Sequence, residues 1–153
     1  FYIMYDAGLI MEAYLQIFYI VMAIYGWFKW TKSIQINSKN RIRTWSNMKH
    51  FITITSVVIL ALITGFILKK YTNAALPFLD AFTSWGAIIT TYMVAKKILE
   101  NWIYWFVIDV ISIYLFLSRG LYLTSILFLV YLIIICFGYI AWRKKYIEFN
   151  ERH

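Results

Sequence analysis

The sequence holds one cysteine, one proline and only seven acidic residues. A lone cysteine builds no disulfide framework, so Cys136 reads as a small apolar side chain. The two histidines, His50 and His153, stand far apart and give no metal-ligand spacing. Neither a nucleophile elbow nor a phosphate-cradling glycine loop occurs. These absences argue against an enzyme: no catalytic residue, metal or cofactor is expected. A signal-peptide pattern is also missing, since Phe1 leads directly into apolar residues.

What is present is grease. Hydrophobic residues make up 63% of the 153 positions and aromatics 21%, against 14% charged, and the mean hydropathy is +0.69. A water-soluble core of this size leaves roughly 30% or more of its surface wet, which so apolar a chain cannot supply. The bilayer is the better solvent. A crossing of ~30 Å at ~1.5 Å per residue needs about 20 apolar residues. Four stretches qualify, roughly Gly8 to Trp30, Phe51 to Leu68, Phe78 to Ala95 and Gly120 to Trp142. A fifth, Trp102 to Leu117, is slightly short and is extended by its aromatic flanks. Five membrane helices are predicted, all-α, joined mostly by short loops.

The net charge of +8 could suggest nucleic acid, but its distribution points to topology instead. With loops assigned alternately, one side receives Lys29, Lys32, Lys39, Arg41, Arg43, Lys49, Lys96, Lys97, Arg143, Lys144, Lys145 and Arg152. The other receives only Lys69, Lys70 and Arg119. That bias makes the first side cytoplasmic, with the C-terminus inside and Phe1 near the outer face. Lipid is the expected surrounding and no nucleic-acid partner is expected, a basic lipid or RNA patch at Lys39–Arg43 being the minor alternative.

Displacing the sequence against itself by 112 residues gives an ungapped match. Tyr2, Gly8, Leu9, Leu15, Tyr19, Gly26, Trp30 and Lys32 fall on Tyr114, Gly120, Leu121, Leu127, Tyr131, Gly138, Trp142 and Lys144. The rarer glycines and tryptophans make this hard to ascribe to biased composition. The first and fifth helices are then equivalent and cross in the same direction, a parallel repeat of the kind found in transporters. The expected parent is a polytopic 3+1+3 protein: two three-helix repeats joined by a linker helix, with the first two helices absent from this chain. Residues 1–32 would end the first repeat, 33–70 hold a cytoplasmic loop and the linker helix, 71–146 form the second repeat, and 147–153 are a cytoplasmic tail.

Polar residues inside the helices are not scattered. Trp102, Trp105, Asp109 and Ser112 share one face at spacings of three, seven and ten. Asp109 lies about 12 Å along the axis from Asn101, near mid-membrane. A carboxylate there costs roughly 3 kcal/mol or more, so it is expected to face a bundle interior or a cavity. Trp102 also suits an interfacial belt, whereas Trp105, one turn deeper, reads as a pocket wall. Glu12, Gln16, Tyr19, Ala23, Gly26 and Trp30 form a second narrow stripe. Gln16 is costly inside a membrane without a partner, while Glu12, one turn nearer the outer surface, is expected to reach water. Asp80, Thr83, Ser84, Ala87 and Thr91 make a third stripe. Pro77 suits a first helical turn, and Asp80 is expected to complement the N-terminal dipole of its own helix rather than bind a ligand. Stripes that converge would place a carboxylate, an amide and hydroxyls among indole and phenol rings. Rings stack on flat solutes and attract cations, and the carboxylate adds to that attraction.

At these residues the sequence resembles the PnuC family, the bacterial nicotinamide riboside transporters. The matching pieces are "LQIFYIVMAIYGWFKW" at 15–30, "ALPFLDAFTS" at 75–84, "KKILENWIYWFVIDVIS" at 96–112 and "RGLYLTSILFLVYL" at 119–132. The resemblance implies a seven-helix 3+1+3 fold related to SWEET sugar transporters, a homotrimer, and a place in the bacterial inner membrane. It implies facilitated diffusion of a nucleoside-like vitamin, trapped inside by phosphorylation. By that resemblance Gln16, Asn101, Trp102, Trp105 and Asp109 line the substrate site, and the stripes add Tyr19 and Thr91. Relatives of the same fold are associated with thiamine or riboflavin. A non-transporting scaffold, with the stripes as packing glue, and a membrane enzyme are the readings from other classes.

Overall fold

The computed structural model describes residues 2–33 and 42–151. Lys39, Arg41 and Arg152 of the charge argument lie outside the described residues, as do the side chains of Gly26, Trp30 and Lys32 of the repeat. A short helix α1 (Tyr2–Asp6) is followed by α2 (Ile10–Ser33), α3 (Asn47–Tyr71), α4 (Pro77–Ala95), α5 (Asn101–Ser118) and α6 (Tyr122–Glu151). The five predicted spans correspond to α2 through α6. Among the described residues, α3, α5 and the Tyr122–Glu148 part of α6 are long and apolar enough to cross a membrane, and Ile10–Tyr25 of α2 is a shorter apolar helix. In α4 the cause of the lower hydropathy is visible: Asp80, Thr83, Ser84, Thr90 and Thr91 face inward on a 19-residue helix. The protein is an all-α, multi-span membrane protein. Its outward surface is apolar, as lipid requires, with Phe51, Phe66, Leu123 and Phe137 all exposed.

Helix α4 is the hub, packing on α2, α3 and α5, while α6 packs on α5. The threonine hydroxyls along α4 bond within the helix, Thr83 donating to Leu79 and Thr90 to Gly86, whereas the buried Ser84 hydroxyl has no partner among the described residues. Trp85 Nε1 donates to Thr64 Oγ1 at 3.1 Å, fixing α4 against α3. The small Ala61 and Ala81 sit in the buried contact between these helices.

One end of the bundle carries two turns that match in detail. Gly8 and Gly120 both adopt positive φ, 76° and 71°, a conformation that a side chain disfavours. At the first turn, Gly8 N–H donates to Tyr5, Leu9 N–H to Met4 and Ala13 N–H to Leu9. At the second, Gly120 N–H donates to Leu117, Leu121 N–H to Phe116 and Ser125 N–H to Leu121. Every donor and acceptor is displaced by the same 112 residues as the sequence match. The turns also touch: Arg119 Nε donates to the Ala7 carbonyl at 2.7 Å, and these two positions are themselves 112 apart. Beneath them Leu9, Leu115 and Phe116 form a fully buried cluster, with Met4, Leu121 and Phe128 around it.

One expectation about a carboxylate is corrected and another is extended. Glu12 does not reach water; it is only 3% exposed, because α4 covers this face of α2. Asp80 stands in the first turn of its own helix, as expected, and in addition reaches α2. Its two oxygens accept the Met11 and Glu12 backbone N–H groups, each at 2.8 Å, so it caps the first turn of α2, whose amides lack helical acceptors.

Candidate functional site

The face of α5 that carries Trp102, Trp105 and Asp109 looks across at α2 and α6. Between the three helices lies a cavity of 320 Å³, lined by Tyr19, Trp102, Trp105, Asp109, Phe128, Tyr131, Ile134 and Ile135. That size falls in the range of small-molecule sites, and so does the chemistry: mostly apolar and aromatic, with few polar groups. Four of the residues expected from sequence, Tyr19, Trp102, Trp105 and Asp109, are brought together on this wall.

Asp109 is 3% exposed, and among the described residues no hydrogen-bond donor or cation engages it. Glu12 and Tyr19 are the groups within its electrostatic reach. A buried carboxylate without a partner is expensive, so the cavity is primed for a positively charged or hydrogen-bonding solute. The Trp102 indole is packed on α6: it stands edge-on to Trp142 with centroids 5.5 Å apart and lies directly on Gly138. A Cβ at 138 would collide with the ring, so the glycine is what lets the indole lie flat against α6. Trp102 Nε1 is buried and has no acceptor among the described residues. Phe128 closes the cavity on the side of the buried cluster, packing on Phe116 at 4.9 Å and on Tyr131 at 5.4 Å.

The other three expected residues lie off this wall. Asn101 is fully buried behind the first turn of α5; its Nδ2 donates to the Ile98 carbonyl and its Oδ1 has no partner among the described residues. Thr91 donates to Ala87 within α4. Gln16 is half-buried one turn before Tyr19. Conversely, Phe128, Tyr131, Ile134 and Ile135 of α6 line the cavity and were not singled out from sequence. Helix α6 is apolar around its whole circumference and shows no stripe. The one available signal was the 112-residue match, which pairs Tyr131 with Tyr19.

Among the described residues no group of histidine, cysteine and carboxylate side chains could hold a metal. A second hollow, of 240 Å³, lies between α3, α4 and α5 and is lined by Ile54, Val57, Phe82, Gly86, Ile103, Tyr104, Val107 and Ile108. Its lining is apolar, which suits lipid rather than a polar solute.

Residues 1–144 match the nicotinamide mononucleotide transporter family. The nicotinamide riboside transporter PnuC of Escherichia coli is 25% identical over 163 aligned positions, covering 90% of this chain and 68% of that protein. The riboflavin/roseoflavin transporter RibM of Streptomyces davaonensis is 22% identical, covering 80% of this chain and 59% of that protein. A crystal structure of the vitamin B3 transporter PnuC superposes with a TM-score of 0.72 at 19% identity, covering 96% of this chain and 67% of that one. The fold is therefore that of PnuC, and the chain belongs to the nicotinamide mononucleotide transporter family.

Proposed function

We propose that this protein carries nicotinamide riboside across the bacterial inner membrane by facilitated diffusion, with intracellular phosphorylation trapping the solute. The observation that carries this reading is Asp109: a buried carboxylate, unpartnered among the described residues, on the wall of a cavity built from Tyr19, Trp102 and Trp105. Nicotinamide riboside joins a flat pyridinium cation to a ribose. The indoles offer faces for the ring and the carboxylate balances its charge. Similarity to E. coli PnuC supports the same substrate. Gln16, Asn101 and Thr91 belong to the site by the family resemblance and the polar stripes, and they lie off the described wall.

The architecture that goes with this reading is 3+1+3, with α3 as the linker helix within residues 33–70 and α4 to α6 as the repeat within 71–146. The matched turns at Gly8 and Gly120 support it. Two parallel repeats in contact at one end suit rocking motions about a shared central site. The charge bias places the C-terminal tail, residues 147–153, and the 42–46 segment in the cytoplasm. Assembly as a homotrimer follows from the family resemblance alone.

The test is uptake of labelled nicotinamide riboside by cells expressing full-length protein, with thiamine, riboflavin and plain nucleosides as competitors. Nicotinamide riboside alone should compete strongly. Riboflavin as the strongest competitor would instead favour the second reading, a riboflavin carrier, which the similarity to RibM motivates.

A further inference from the structure

The end of the bundle opposite the two glycine turns holds a polar cluster that the transport reading leaves unused. The chain before α3 folds back onto the α4–α5 connection. Arg43 N–H donates to the Lys97 carbonyl at 2.9 Å, and Leu99 N–H donates to the Arg43 carbonyl at 2.8 Å, a short parallel bridge. Lys97 adopts φ of 56°, a left-handed conformation that non-glycine residues hold only where the surroundings enforce it. The bridge is such an enforcement. It sets the direction in which the chain enters α5.

Glu100 fastens the same segment from the next position. Its Oε1 accepts Trp45 N–H at 3.3 Å and lies 3.9 Å from His50 Nε2. His50 Nδ1 shares a 2.9 Å hydrogen bond with Tyr104 Oη, and the two rings stack with centroids 5.8 Å apart. The Trp45 ring also packs on His50, tilted, with centroids 5.8 Å apart. Glu100 and Tyr104 are four apart and share one face of the first turn of α5. Trp102 and Trp105 project from the other side of that turn into the cavity.

We propose that Glu100 is a positioning residue for transport, gripping the linker through Trp45 and His50 so that α5 holds its two indoles at the cavity wall. The proposal takes that cavity as the substrate site. One half of the first turn is held by the linker, and the other half touches the solute. Loosening the first then costs affinity in the second, a coupling between separate places on one rigid turn. A carboxylate suits this role because a single oxygen serves both partners, and an amide in its place lacks the charge that draws the imidazole.

The test uses full-length protein in proteoliposomes with Glu100→Gln, His50→Ala and the double variant. Each single change should raise the KM for nicotinamide riboside roughly fivefold or more with the maximal rate largely kept, and the double should be no worse than the poorer single. Additive effects, or an unchanged KM with only a lower melting temperature, would overturn the proposal. Amide hydrogen exchange provides a readout independent of substrate identity. In Glu100→Gln, exchange at residues 101–105 should quicken by about tenfold while the rest of α5 stays protected. Unchanged exchange there would also overturn it. If the wild type fails to carry nicotinamide riboside, the substrate reading falls, while the exchange result still decides the role of Glu100.

Discussion

Helices α2 and α6 begin through the same glycine turn and end their match at the same kind of position, yet they present different chemistry to the cavity. Tyr19 and Tyr131 are equivalent and both line it. One turn earlier, Gln16 on α2 corresponds to Phe128 on α6, and one turn before that, buried Glu12 corresponds to Thr124. The backbone has kept its symmetry while the side chains have diverged. A flat solute with a charged, hydroxyl-bearing end is itself lopsided. The cavity is lopsided as well, with Asp109 on its α5 side against Phe128, Ile134 and Ile135 on its α6 side, and such a chamber fixes which way the solute lies, which a symmetric chamber would leave open.

The comparison can be broken most severely at the residue both walls face. Asp109→Leu should lower uptake by about 100-fold or more, since the cation loses its counter-charge in a dry site. Asp109→Asn should retain part of the activity, with the loss in KM. Labelled uptake measures both, and full uptake by the Leu variant would remove the carboxylate from the mechanism.

Making the walls alike is the next step down. Phe128→Gln, which gives α6 the amide of α2, should weaken substrate binding about tenfold, read by quenching of tryptophan fluorescence. Unchanged or tighter binding would show that the apolar wall plays no part in orienting the solute.

The two turns should separate by stability rather than transport. A Cβ at Gly8 would meet the Asn73 carbonyl at 3.3 Å, whereas nothing stands within 4 Å of one at Gly120. Both positions impose the left-handed backbone cost of roughly 1–2 kcal/mol. Gly8→Ala should therefore lower the melting temperature more than Gly120→Ala, and equal shifts would mean that backbone conformation alone decides. Smallest of all is Arg119→Ala. It removes one exposed hydrogen bond between the turns, worth about 1 kcal/mol or less, so its melting temperature should fall least among these variants.

How far the sequence could be read follows the same division. The helices were legible because lipid demands long apolar runs, and the α5 face was legible because Trp102, Trp105 and Asp109 repeat at helical spacing among apolar neighbours. The α6 wall was hidden by the same demand: a helix greasy on every side gives no clue to which side meets a cavity. Glu12 was misplaced, and the reach of Asp80 to α2 went unread, for a different reason. Periodicity reports a face, but not what covers it, and the partners of Asp80 lie 68 and 69 residues away. Asn101, Gln16 and Thr91 were picked as polar residues inside helices, but spacing alone could not say whether any of them would stand on the wall.

The grip of Asp80 on two main-chain amides bears on how the protein is made. Helix α2 emerges from the ribosome long before α4, and until Asp80 arrives its leading amides have nothing in hydrocarbon to satisfy them. The first turn of the early helix is thus capped by a residue translated later, and a chain interrupted between the two would leave that turn of α2 uncapped, an invitation to membrane quality control.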